Sequence, residues 1–214
     1  MGVIEKIQAR IKALLEQKNR PIAFICGLGG SGKTTLAKKI AREMDVECIP
    51  VHSDWWAKYS TVERKARIKE ALDSGDPVRI AQEENPQNWY GVWKKLSADL
   101  LELQRTGKLM IPNVWNQKTG EKDLNVELSV PEKGLILFDG IYLLHPEIAD
   151  VSDFIVLLDV PPDVCRKRSE QRDSHRSDPD YLAYKASLME KYDVPYFKKY
   201  RTRADLIISP NISE

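Results

Sequence analysis

Gly27-Leu28-Gly29-Gly30-Ser31-Gly32-Lys33-Thr34 is the stretch whose reading decides the fold. It matches G-x-x-x-x-G-K-[S/T], and its flanks match the same context. Upstream, Ile22-Ala23-Phe24-Ile25-Cys26 is a short apolar run between Pro21 and Gly27, which reads as a strand. Downstream, Leu36, Ile40 and Met44 recur at helical spacing. Strand, glycine-rich loop and helix in that order make a phosphate cradle. Polyphosphate oxygens must be met by several backbone N–H groups at once, and residues without a Cβ let the backbone come that close. The helix opening near Lys33 adds free N–H groups and the positive end of its dipole. In such a loop the lysine reaches the β- and γ-phosphates and the threonine hydroxyl serves Mg²⁺. The nucleotide-binding set is thus Gly27, Gly29, Gly30, Ser31, Gly32, Lys33, Thr34 and Thr35, with Lys33 also catalytic and Thr34 also a metal ligand.

Outward from the loop, Ile4, Ile7, Ile11, Leu14 and Leu15 lie on one face of a mixed-charge amphipathic helix over residues 3–18, expected to pack on the sheet. Residues 47–52 read as a second strand, with Pro50 implying a sheet edge, and this strand delivers Ser53-Asp54. Ligand groups in an open parallel sheet sit beyond the strands' carboxyl ends, so Asp54 shares a rim with the phosphate loop. Asp54 is the candidate general base; capping of the next segment is its structural alternative. Trp55, Trp56 and Tyr59 follow, suited either to stacking on an acceptor ring or to packing. Residues 61–74 read as a charged helix, residues 84–90 as a polar and aromatic loop, and residues 93–105 as a helix whose Leu96, Leu100 and Leu103 are core.

Residues 109–130 alternate apolar and polar positions around Lys118-Thr119-Gly120, a hairpin inserted between the second and third core strands. The apolar run Gly134-Leu135-Ile136-Leu137-Phe138-Asp139-Gly140 suits a Walker B strand, with Asp139 beside Thr34 holding Mg²⁺ directly or through water and Gly140 leaving room for phosphate or substrate. His145 reads as a loop histidine. Residues 154–160 form a fourth strand, and Pro161-Pro162-Asp163 opens a helix on which Arg168, Arg172 and Arg176 recur every fourth residue. A solvated basic face is one reading; the favoured one is a lid over residues 161–178, with Arg168 and Arg172 neutralising a transferring phosphoryl group. Residues 204–209 close the sheet as a fifth strand.

With 214 residues, 42% hydrophobic and 30% charged, the chain fits one soluble α/β domain over residues 1–214. A net charge of +1 gives no reason to expect nucleic acid or an anionic membrane as partner. No apolar run approaches the ~18 residues of a membrane span, and charges interrupt any signal-like segment in residues 4–15. Cys26, Cys48 and Cys165 make no metal-type pair or disulfide framework, which points to a cytoplasmic protein.

These parts in this order resemble the uridine kinase and phosphoribulokinase-like branch of P-loop kinases. The resemblance lies in the loop of residues 27–34, in Ser53-Asp54 followed by aromatics, in Phe138-Asp139-Gly140-Ile141, in the segment from Arg168 to Arg172-Asp173, and in the closing Ala204-Asp205-Leu206-Ile207-Ile208. It implies a P-loop NTPase fold, a three-layer αβα sandwich whose five parallel strands run in the order 2-3-1-4-5, with an inserted hairpin and an arginine-bearing helical lid. It also implies Asp54 as catalytic base, Arg172 on the transferred phosphoryl group, ATP and Mg²⁺ as cofactors, and a small-molecule alcohol as acceptor. Glu84-Asn85-Pro86 stands where uridine kinases carry Asp-His-Pro, and residues 114–122 keep only Lys118-Thr119 of their hairpin pattern. Those segments contact the nucleoside in the family, so a nucleoside leads as acceptor while a sugar phosphate or a cofactor precursor stays open. A non-kinase nucleotide-binding regulator also stays open, as does a homo-oligomer.

Overall fold

Six consecutive buried residues, Ile22–Gly27, form the first strand, and a run buried on both faces is what the middle of a parallel sheet requires. A computed structural model describes residues 2–90, 92–116, 119, 121–174 and 179–209. The chain runs α1 (Val3–Gln17), β1 (Ile22–Gly27), α2 (Lys33–Glu43), β2 (Cys48–His52), α3 (Thr61–Ser74), α4 (Pro77–Glu84) and α5 (Trp93–Thr106). A hairpin of β3 (Lys108–Val114) and β4 (Leu124–Ser129) precedes β5 (Leu135–Gly140), α6 (Pro146–Ala149), β6 (Phe154–Leu158) and α7 (Pro162–Asp173). Last come α8 (Pro179–Leu188), α9 (Val194–Tyr200) and β7 (Leu206–Ile208).

The parallel sheet has the order β2-β5-β1-β6-β7, which is 2-3-1-4-5 once the hairpin strands are left out of the count. β2 is an edge strand, where Pro50 removes no central ladder bond. Alternation along β1 sends Ile22, Phe24 and Cys26 to one face and Ala23 and Ile25 to the other. The first face is covered by Leu96, Leu100 and Leu103 of α5 and by Ile111, Val114 and Leu128 of the hairpin. The second is covered by Ile7, Ile11 and Leu14 of α1, by Ala37 and Ile40 of α2, and by Cys165 of α7. These are the three layers expected.

The hairpin forms a separate antiparallel pair, with a bulge between Ile111 and Val114. Of its expected turn, Lys118 and Gly120 lie outside the described residues, as do Arg176 and Asp178 of the lid region. Hydrophobic period does not anticipate α4; a local cap does, since Asp76 accepts a hydrogen bond from the Val78 N–H at 2.9 Å and Pro77 opens the helix. Residues 86–90 form a short 3₁₀ turn in place of the open loop expected there. All three cysteines are free thiols, and among the described residues no helix is long and apolar enough to cross a membrane.

Candidate active site

The parallel register brings the carboxyl ends of β1, β2 and β5 to one rim: Asp139 lies opposite Ile25 on one side and His52 on the other. The loop after β1 wraps around its own lysine. Lys33 Nζ donates to the carbonyls of Gly27 and Leu28, both at 2.9 Å. Burial lowers the pKa of this ammonium, while the charges of Asp139 and Asp54 work in the opposite direction. Gly32 stands at φ 96° with nothing within 4 Å of where a Cβ would project, so the left-handed backbone, not crowding, calls for glycine. At Gly30 both constraints apply: φ is 85°, and a Cβ would run into the Cys165 carbonyl of α7. The hydroxyl of Ser31, a residue only 4% exposed, has no hydrogen-bond partner among the described residues. An orphaned buried hydroxyl in a glycine-rich loop is a donor that an oxyanion satisfies. Thr35 lies apart, on an open groove of α2 with Lys38, Ala41 and Arg42.

Thr34 Oγ1 donates to Asp139 Oδ2 at 3.1 Å, and His52 Nδ1 donates to Asp139 Oδ1 at 2.6 Å. Asp139 is 6% exposed, and this bond holds the His52 pKa above its ordinary value against the opposing effect of burial. Both carboxylate oxygens are therefore oriented, one by the strand beside it and one by the loop helix. Gly140 does not make room for a ligand: a Cβ there would collide with Ser53, so its smallness serves the packing of the β2 end against β5.

Asp54 sits exposed within the 3₁₀ turn Ser53–Trp56, not at a helix cap. Its Oδ1 accepts from the Tyr90 hydroxyl at 2.9 Å. The Tyr90 ring lies 5.8 Å from the ring of Tyr142, whose hydroxyl donates to Asp193 Oδ1. Asp193 is 7% exposed, and burial pushes its carboxyl up to about 6. Of the aromatics after Asp54, Trp56 is core, donating to Asp99 at 2.7 Å and meeting Phe138 edge-on. Trp55 stands edge-on to His52, and Tyr59 lies under Arg67.

On α7, Arg168 and Arg172 are exposed. Arg172 is held by Asp173 through two bonds of 2.9 and 3.1 Å, and this pairing, against burial, raises its pKa; the charge of Asp54 adds to the effect. Lys185 of α8 donates to the same Asp173 at 2.8 Å. The structure thus gathers Lys33, Thr34, Asp54, Asp139 and Arg172 around one rim, while Thr35 stays outside. Burial pushes the Cys165 thiol up to about 11, with the charges of Lys33 and then Arg168 opposing it, and Gly30 packs against the Cys165 carbonyl.

Four groups of this rim are not found by motif: His52, Tyr90, Tyr142 and Asp193. For His52 a signal existed, because it ends β2 two residues before Asp54. The others reach the rim across 36 and 51 residues of sequence, and no spacing rule covers such distances.

A phosphate loop at the carboxyl end of β1, a strand-end carboxylate bonded to its threonine and a second carboxylate on the same rim define a P-loop kinase. The chain belongs to the phosphoribulokinase/uridine kinase family, which matches residues 22–211, and is a phosphotransferase with an alcohol group as acceptor. Among solved structures it is similar to phosphoribulokinase from Rhodobacter spheroides, at 14% identity and a TM-score of 0.64 over 91% of this chain and 73% of that one. D-glycerate 3-kinase from Cryptococcus neoformans gives 11% identity and a TM-score of 0.62, covering 96% and 90% of the two chains. A protein from Bacillus stearothermophilus described as a possible uridine kinase gives 16% and 0.59, covering 95% and 100%. At these identities the structures speak for the fold alone. No curated protein sequence matches the chain.

Proposed function

We propose that the protein transfers the γ-phosphoryl group of ATP, with Mg²⁺, to a hydroxyl of a small molecule, with nucleosides first among the candidates. One observation carries the reading: Thr34 of the phosphate loop donates to the strand-end carboxylate of Asp139 at 3.1 Å, and the half-buried Lys33 beside it feels the charges of both Asp139 and Asp54. A phosphate-binding loop alone would need neither.

The residues fit the groups the reaction needs. The unpartnered Ser31 hydroxyl and the open, left-handed Gly32 suit phosphate oxygens. Thr34 and Asp139 offer a hydroxyl and a carboxylate, a hard oxygen set of the small size that Mg²⁺ takes from protein when phosphates and water supply the rest. Thr34 and Asp139 would hold Mg²⁺, which would supply positive charge against the phosphate oxygens of the nucleotide. Lys33 exchanges the carbonyls of Gly27 and Leu28 for phosphate oxygens. Asp54, with Oδ1 taken by Tyr90, turns its other oxygen to the acceptor hydroxyl and accepts its proton as the acceptor oxygen bonds to phosphorus and the bridging oxygen leaves with ADP. Arg172, oriented by Asp173, and Arg168 stabilise the charge on the group in flight and help exclude water. The free cysteines support a cytoplasmic setting.

The test is ADP release with Mg²⁺ and ATP across nucleosides, sugar phosphates and vitamin alcohols, with an acceptor-free control. Stimulation by one acceptor class is the expected result. Slow hydrolysis indifferent to every acceptor would overturn the reading.

A further inference from the structure

Helix α8 is held in place by bonds more than by burial. Of its ten residues only Leu188 is buried, so it brings little apolar area to any core, and the polar and ring contacts of its side chains decide where it lies. The arginine-bearing end of α7 is similar. Its buried residues are Cys165, in the first turn, and Asp173, at the very end.

Two consecutive residues of α8 reach two different elements. Tyr184 donates to Glu84 Oε1 of α4 at 2.8 Å, and Lys185 donates to Asp173 Oδ2 of α7 at 2.8 Å. Neighbouring side chains on a helix point about 100° apart, which lets one short helix span from α4 on one side to α7 on the other. Both acids are 7% exposed. Glu84 takes two more donors from the π-helical turn Met189–Asp193 that continues α8: Lys191 Nζ at 2.7 Å and the Tyr192 hydroxyl at 3.4 Å. Lys65 of α3 lies over the Tyr181 ring at 3.9 Å and adds a second tie between the two sides.

Each end of this bridge adjoins a group of the proposed reaction. α4, fixed to α3 by Arg67 donating to Glu83 at 2.8 and 2.6 Å, runs into the turn Pro86–Tyr90, and Tyr90 holds Asp54. At the other end Asp173 holds Arg172 through Nε at 2.9 Å and a terminal nitrogen at 3.1 Å. A two-bond fork fixes the guanidinium plane to the carboxylate plane, so whatever sets the Asp173 carboxylate sets the direction of Arg172. Lys185 bonds the same Oδ2 that takes one arm of the fork, and Lys185 stands where Glu84 holds α8.

We infer that Glu84 is a positioning residue for phosphoryl transfer: through Tyr184, Lys185 and Asp173 it fixes the direction of Arg172, and it ties the side of the molecule that holds Asp54 to the side that carries the arginine. This rests on the proposed role of Arg172 at the transferred phosphoryl group.

Arg172 would meet the γ-phosphate, which ATP has and ADP lacks. The readout is therefore the ratio of the affinities for ATP and ADP, measured by calorimetry with Mg²⁺ and without acceptor. Arg172→Gln lowers that ratio by about 10-fold or more, the worth of a hydrogen bond to a charged group. Glu84→Gln lowers it by about 3- to 10-fold through ATP, while affinity for ADP moves by less than about 2-fold, the scale of a change passed along a network of contacts. Tyr184→Phe, which keeps the ring and loses the donor, moves the ratio the same way by less, and it carries the test should Glu84→Gln fold poorly. In a Lys185→Met background, where the route is already broken, Glu84→Gln lowers the ratio little further, because changes along one chain of bonds do not add. Equal losses for ATP and ADP, or an undiminished loss in the Lys185→Met background, would reduce Glu84 to a structural acid. A ratio that falls in Arg172→Gln but not in Glu84→Gln would overturn this inference alone. An unaltered ratio in Arg172→Gln would overturn the role of Arg172 and this inference with it. The kinase reading is tested apart from both, by the acceptor panel.

Discussion

Tyr90 occupies one carboxylate oxygen of Asp54 and leaves the other, which would both aim the proposed base and keep it available. Asp54→Asn preserves that hydrogen bond and removes the basic oxygen pair. The variant is expected to bind ATP as the wild type does and to lose phosphoryl transfer by about 10²-fold or more. ADP release at saturating substrates, set beside ATP binding by calorimetry, checks it; full transfer activity would end the assignment of Asp54 as base. His52 acts one shell further out. It fixes Asp139 Oδ1 so that Oδ2 stays with Thr34, the donor pair proposed for Mg²⁺. His52→Ala should raise the Mg²⁺ concentration needed for half-maximal activity by about 10-fold, the usual scale for a residue that orients a ligand. Affinity for ATP measured without Mg²⁺ should stay unchanged, and His52→Asn should recover part of the loss. Equal Mg²⁺ requirements in wild type and His52→Ala would show that Asp139 needs no support from β2.

At the scale of elements, Asp173 joins α7 to α8 by accepting from both Arg172 and Lys185. Burial alone would raise its pKa, but the two partners more than reverse that, so the folded carboxyl titrates well below its ordinary 3.8. A depressed carboxyl pKa adds stability that is fully present above the unfolded value and disappears as the pH falls below about 4 and on through the folded value. Asp173→Asn is therefore expected to cost about 1–2 kcal/mol at pH 7, between an exposed pair and a buried one, and progressively less in acid. Denaturant curves at pH 7 and pH 3 test this, and a cost that does not shrink in acid would rule out the ion pairs as its source. The elements themselves were largely legible in the sequence. β1, α2 and β5 announce themselves because a strand buried on both faces reads as an unbroken apolar run and the loop between β1 and α2 has a fixed grammar. Pro50 told the edge position of β2 because proline has no donor to give a central ladder. The π turn Met189–Asp193 between α8 and α9 is not legible, since no local pattern distinguishes one extra residue in a helix. Glu84 looks in sequence like a departure from a binding segment, and only the fold reveals its three donors, Tyr184, Lys191 and Tyr192. Gly140 was read as space for a ligand when the occupant is Ser53, because a glycine's need for room does not say whose room it is.

Across the whole molecule, hairpin, α7, α8 and sheet either unfold as one unit or come apart. Both hydrophobic layers draw on the same strands: neighbouring residues Phe24 and Ile25 of β1, and Phe138 and Leu137 of β5, go to opposite cores. Neither layer keeps its core if the sheet is lost. The five tryptophans report this unevenly. Trp55, Trp56 and Trp93 pack in or against the core on the hairpin side, and none of the five belongs to the core under α1, α2 and α7. Intrinsic fluorescence therefore follows one layer, whereas far-ultraviolet circular dichroism follows helices of both. One cooperative domain predicts that the two signals unfold at the same denaturant midpoint. ATP with Mg²⁺ at about 100 times its dissociation constant should then raise the stability seen by both probes by about 2.7 kcal/mol, since a ligand of the native state stabilises the entire cooperative unit. A dichroism transition that precedes the fluorescence change would mean that the α1 and α2 layer opens by itself. The phosphate loop, which lies between β1 and α2, would then be built on the less stable half of the molecule, and nucleotide would delay only the earlier transition.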